Sequence, residues 1–160
     1  MLEPPQRFTA AVAVYTLLWR DRRVLLLRRD GSGFHDGELS LPAGHVDQGE
    51  DAVSAVVREV AEELCVVLEP SACRLALTGH SGPERPGDHT YVDLFFVVDD
   101  WSGEPVVGEP DRCTELVWAD VDALPGDVIP YVADAVRAMV DPDGPTLLLW
   151  HWDRVPAVAR

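Results

Sequence analysis

Residues 44–66 read GHVDQGEDAVSAVVREVAEELCV, and the rest of the chain is best understood outward from this stretch. On a helical wheel at about 100° per residue, Val53, Val56, Val57, Val60 and Leu64 fall in one arc, a core-facing stripe. The spacing predicts a helix over 50–64. Glu59, Glu62 and Glu63, at i, i+3 and i+4, share a second arc centred roughly 120° from the first. Like charges so placed cost roughly a few tenths of a kcal/mol each, and Arg58 relieves only part of that. Two readings of the acidic arc stand side by side. One is a solvated flank; the other is a seat for a hard cation such as Mg²⁺ or Mn²⁺, which takes oxygen ligands and keeps waters.

On the N-terminal side, Phe8 to Trp19 is apolar and β-branched and reads as a strand. Residues 20–23 (RDRR) turn the chain, and Val24–Leu27 returns antiparallel to it. A loop, DGSGFHDG at 30–37, leads to a short strand over Glu38–Leu41 that Pro42 stops. On the C-terminal side, Arg74–Leu77 and Thr90–Val98 read as strands, and 101–111 (WSGEPVVGEPD) has the Gly and Pro of a long loop. Leu116–Trp118 is a short strand, Pro130–Val140 a helix, and Thr146–Trp152 a last strand. Mixed elements with one antiparallel hairpin predict an α/β protein whose mixed sheet carries helices on both faces. Neither a repeat nor a low-complexity linker divides the chain, so a single domain over 1–160 is expected.

Charge narrows the function classes. Of 160 residues, 28 are acidic and 13 basic, every basic one an arginine, giving −15. Sequence-independent affinity for polymeric nucleic acid rests on clustered Lys and Arg, so neither that partner nor an anionic membrane is expected. A small anionic ligand fits if a cation stands between it and the carboxylates. No apolar run approaches the roughly 18 residues that span a bilayer, and MLEPPQRFTA lacks signal-peptide order. Cys65, Cys73 and Cys113 form no C-x-x-C pair; reduced thiols and a cytoplasmic location are expected.

The stretch 44–66 resembles the Nudix box, G-x5-E-x7-R-E-U-x-E-E-x-G-U, where U is aliphatic. Gly44, Glu50, Arg58, Glu59, Val60, Glu62, Glu63 and Val66 match. Cys65 stands where the family has glycine, the residue that lets the chain leave the helix at φ > 0. The resemblance implies a Nudix-like α/β/α sandwich and a Mg²⁺-dependent hydrolase, with Mn²⁺ an alternative, acting on a nucleotide or nucleotide derivative. Glu59 and Glu63 match the positions that most often ligate the metal, Glu62 shares the site, and Ala43 sits where a backbone carbonyl is offered. Gly44, Glu50 and Arg58 match the positions bracing loop against helix, and Arg58 has substrate contact as its other implied role. The resemblance extends over roughly 8–140. EPDRCTELVW at 109–118 is similar to a pattern in MutT-type nucleoside triphosphate pyrophosphohydrolases that brings a further glutamate to the metal. Glu109 fits best, with Glu104 as competitor. One of Glu59, Glu62, Glu63 or Glu109 would position or deprotonate the attacking water.

The implied reaction cleaves a nucleoside diphosphate-X bond, foremost a nucleoside triphosphate to monophosphate and pyrophosphate. A nucleotide-sugar or dinucleotide pyrophosphatase, and a silent ligand-sensing module, are the alternatives. Retention of all three box glutamates favours an enzyme. Aromatic faces stack bases at roughly 1–3 kcal/mol each, which makes Phe34, His35, Tyr91, Trp118 and Tyr131 candidates for a base pocket. Asp127 and Asp134, flanking the IPY segment, are candidate partners of a base edge. His89 shares a face with Tyr91 if that strand extends back to it. Arg28 and Arg29 should point to opposite faces, so at most one meets phosphate. A homodimer is left open.

Overall fold

The computed structural model describes residues 9–154, with the side chain of Arg154 excluded; the predicted start of the first strand at Phe8 lies outside that range. Strand β1 (Ala11–Arg20) is the hub. Its last residues pair antiparallel with β2 (Arg23–Arg29) through a two-residue turn, Trp19 opposite Val24. Asp21 and Arg22 both take positive φ there, 51° and 58°, the handedness that suits a tight hairpin. Along most of its length β1 pairs in parallel with β6 (Tyr91–Val98), and this pairing makes the sheet mixed.

The continuous path runs β3 (Leu39–Ser40), β2, β1, β6, β5 (Arg74–Ser81), β8 (Leu147–Trp150). Two further strands branch from it: β4 (Ala43–His45) pairs with β1, and β7 (Cys113–Asp120) with β2. Strands β5 and β7 run longer than the apolar stretches 74–77 and 116–118 suggest, because polar residues continue the ladders at their ends. The β3 strand is shorter, covering 39–40 of the expected 38–41.

Alternation along β1 assigns the two faces. Val14 and Leu18 pack with Val56, Val60 and Leu64 of α1 (Ala52–Leu64). Leu17 packs with Val132, Ala133 and Val136 of α2 (Pro130–Val140), together with Leu77 and Phe95. One helix covers each face. Asp51 caps α1, its carboxylate accepting from the N–H groups of Val53 at 2.9 Å and Ser54 at 3.0 Å, worth about 1 kcal/mol. At the other end Cys65 takes φ 56°, ψ 27°, so the left-handed exit persists without glycine, at about 1–2 kcal/mol.

Candidate metal and substrate site

Among the described residues strand β4 pairs on one side only, with β1, and its other edge begins the site. Thr16 N–H donates to the Pro42 carbonyl and Val46 N–H to Val12, so by antiparallel alternation the Ala43 amide and carbonyl face away from β1. The Ala43 N–H donates at 3.0 Å to Glu63 Oε2 on the passing flank of α1. One turn earlier, the Glu59 carboxylate lies over Gly44, filling the space where a Cβ would stand. Helix α1 thus sits close against β4 because residue 44 has no side chain.

Arg58 ties the helix to the loop before it. Its guanidinium donates twice to Glu50, at 2.9 Å each, and at 3.0 Å to the His45 carbonyl. It also reaches Glu59 at 2.6 Å and Glu62 at 3.4 Å. The Glu50 bond, ahead of Glu59, holds the guanidinium firmly charged and Glu50 below the usual carboxylate range. Every donor of Arg58 is engaged by the protein, an arrangement suited to bracing.

The loop 101–111 brings in the last carboxylate by capping α1. Val106 N–H donates to the Leu64 carbonyl at 3.0 Å and Gly108 N–H to Glu63 at 2.8 Å, satisfying carbonyls that a helix end leaves open. Gly108 passes so near the Glu62 carbonyl that a Cβ would collide with it. The next residue, Glu109, then faces the cavity.

That cavity, about 740 Å³, lies on the α2 face of the sheet. Ala43, Gly44, Glu59, Glu63 and Glu109 line one end, and Phe34, Tyr91 and Tyr131 line it farther along. Of the other sequence candidates, Glu50, Arg58 and Glu62 stand behind the wall. His35 does too, its ring bridging Glu38 and Glu84. Three candidates are elsewhere. Trp118 stacks on Trp101 with Arg20 over both rings, 4.9 and 5.1 Å from the centroids. Asp127 is bound by Arg28 at 2.7 Å, and Asp134 pairs with Arg137 on the exposed side of α2. Trp118 and Asp127 are satisfied by residues distant in sequence, the first by Arg20 and Trp101 and the second by Arg28, whereas Asp134 has its partner one turn along the helix at i+3. Arg28 and Arg29 do diverge: Arg29 lines the cavity while Arg28 holds Glu115 and Asp127. His89 precedes β6 and also lines the cavity, beside Tyr91.

Sequence reasoning missed Tyr15, Asp93 and Trp150, all on the cavity wall. The signal for Asp93 was one carboxylate inside the apolar run YVDLFFVV. Asp93 is 4% exposed, and burial lifts its carboxyl to about 6 against the Ser81 hydrogen bond.

Among the described residues no three His, Cys, Asp or Glu side chains already converge as ligands on one point, since Arg58 holds Glu59 and Glu62 aside. The donor chemistry nonetheless fits a hard divalent cation. Burial, with Glu59 and then Glu109 adding repulsion, pushes Glu63 up to about 8 despite the Ala43 amide. Burial likewise raises Glu59, against Arg58. Desolvation and mutual repulsion hold these carboxylates above their ordinary range even though Arg58 pairs with Glu59, so added positive charge would be favoured there, and the available donors are all oxygen.

A family model described as NUDIX domain matches residues 7–143. The chain is 34% identical over 115 residues to an ADP-ribose pyrophosphatase of Methanocaldococcus jannaschii, a match covering 72% of this chain and 64% of that one. It is 27% identical over 128 residues to an 8-oxo-dGTP diphosphatase of Escherichia coli, covering 79% and 95%. A crystal structure of a MutT NUDIX hydrolase from Burkholderia pseudomallei superposes with a TM-score of 0.74 at 31% identity, over 82% of this chain and 98% of that one. No helix among the described residues is long and apolar enough to cross a membrane.

Proposed function

The chain belongs to the Nudix hydrolase family, and from that premise we propose that it hydrolyses the pyrophosphate bond of a nucleoside diphosphate-X compound, foremost a nucleoside triphosphate, with Mg²⁺ or Mn²⁺. The observation that carries this reading is the end wall of the cavity, where Glu63 and Glu59 lie against the free edge of β4 and Glu109 faces the same cavity. Bound among them, the cation would neutralise phosphate charge and lower the pKa of a water. Ala43, Glu59, Glu63 and Glu109 would hold it, with Glu62 alongside. The protein's own part is positional. Arg58 and Glu50 fix the loop, Gly44 admits Glu59, and the helix-capping loop delivers Glu109. Hydrolysis adds water across the anhydride: a P–O bond forms, the bridging P–O bond breaks, and a carboxylate takes the proton. Arg29 and Arg112, both on the cavity wall, supply positive charge for the phosphates.

A product-resolved screen tests this. Nucleoside triphosphates with Mg²⁺ should give monophosphate and pyrophosphate. The 34% identity to a protein named ADP-ribose pyrophosphatase favours one second reading, cleavage of a nucleotide linked to a sugar phosphate. Turnover of nucleotide sugars or dinucleotides in preference to triphosphates would select it.

A further inference from the structure

At the far side of the cavity from the carboxylate wall, the sheet presents a row of small residues with one acid among them. Ala13 of β1 and Gly79 of β5 are the cross-strand partners of Asp93, so the aspartate has almost no side chain on either side. Gly79 is needed there: a Cβ would strike the Trp150 ring and crowd Asp93. The neighbouring rows are aromatic. Tyr15 stacks on Phe95 at 4.6 Å and meets Tyr131 edge-on. On the other side stand Tyr91 and Trp150. The result is a slot floored by Ala13 and Asp93, walled by the aromatic rows and closed over Gly79 by the Trp150 ring.

Asp93 is more than nine-tenths buried, yet among the described residues its one hydrogen bond comes from Ser81 Oγ to Oδ2 at 3.2 Å. Among the described residues Oδ1 has no hydrogen-bond partner and opens on the cavity, where water or a ligand with N–H groups can supply the donors that a mostly buried carboxylate requires. Two strand spacings across and two residues along separate it from Ala43, roughly 12 Å, a separation that one nucleotide bridges from diphosphate to base.

We propose that Asp93 is a specificity-determining residue that reads the base of the substrate and selects a guanine-type edge. This rests on the proposed nucleotide hydrolysis at the same cavity. A carboxylate is an acceptor at both oxygens and binds best to two parallel N–H donors. Guanine offers such a pair, a ring N–H beside an exocyclic amino group. Hypoxanthine keeps the ring N–H without the amino group. Adenine and cytosine offer an amino group beside an unprotonated ring nitrogen, and uracil sets its N–H between two carbonyls that the carboxylate repels. At neutral pH and above the acid is mainly ionised, as the acceptor role requires.

The test is equilibrium binding of GMP and IMP, by calorimetry without metal, to the wild-type chain and to Asp93→Asn. Asp93→Ser, which fits between Ala13 and Gly79, serves as the second variant, and thermal melts establish that each is folded. The wild type should bind GMP at least tenfold more tightly than IMP, and the ratio should fall within about threefold of unity in both variants. Equal binding of GMP and IMP by the wild type, or a ratio unchanged in the variants, overturns the assignment. So does a ribose-over-deoxyribose preference lost in place of the GMP-over-IMP one. The hydrolysis screen is read separately. A chain that discriminates through Asp93 but cleaves no nucleotide faults the proposed activity, and one that cleaves nucleotides without discriminating faults this inference.

Discussion

The Glu59 carboxylate stands where a side chain on Gly44 would stand, so the approach of helix α1 to the free edge of β4 depends on the absence of a Cβ at one position. Gly44→Ala should therefore displace Glu59 more than it disturbs the core, because the colliding atoms are the end of a flexible side chain. Turnover should fall at least about tenfold, or 1.4 kcal/mol of barrier. The melting temperature should move by no more than a few degrees. Steady-state kinetics paired with a thermal melt checks this; a collapse of the fold with normal specific activity in the folded fraction would contradict it.

Glu63 carries a pH signature. Its folded carboxyl is raised to about 8 from an ordinary 4.5, by burial first and then by Glu59. The native state therefore holds a proton that the unfolded chain gives up earlier, and stability falls as pH rises between those values. Metal-free protein should melt at progressively lower temperature across that window. Glu63→Gln should flatten the slope and melt higher than wild type at pH 8, while turnover with Mg²⁺ drops at least about a hundredfold. Melts in EDTA at a series of pH values check the first part, and kinetics the second.

Much of this was legible in the sequence, and the limits are physical. The period of the valines in 53–64 located α1 and its core face, and the hairpin at 20–23 ruled out an all-parallel sheet. The Ala43–Glu63 and Gly44–Glu59 contacts were not readable, because they depend on which edge of β1 receives β4. Asp127 and Trp118 stood out as a polar and an aromatic residue near the right elements. Arg28 and Arg20, distant in sequence, engage them away from the cavity. Asp93 was hidden for the opposite reason: a single acid in a buried strand has no periodicity to reveal it.

Cys65 tests the cost of a left-handed residue with a side chain. At φ 56°, Cys65→Gly removes about 1–2 kcal/mol of strain and adds unfolded-state entropy of roughly 0.4–1 kcal/mol. The net change should be neutral to about 1.6 kcal/mol stabilising, measured by urea unfolding. A loss above about 1 kcal/mol would show that the thiol's packing against Gly108 outweighs the strain.

An all-oxygen donor set favours hard cations. Activity should disappear in EDTA and return with Mg²⁺ or Mn²⁺, with Zn²⁺ a poorer substitute. Titration of each metal into the stripped protein, followed by turnover, checks the order.

The proposed activity is cleavage of a nucleotide pyrophosphate bond at the wall lined by Glu59, Glu63 and Glu109. Its most direct test is phosphorus NMR of a nucleoside triphosphate mixture incubated with the wild-type chain, with Mg²⁺ and with EDTA. Monophosphate and pyrophosphate should appear in equal amounts with Mg²⁺, and the substrate should persist unchanged in EDTA. Release of terminal orthophosphate, or hydrolysis that persists without metal, would contradict it.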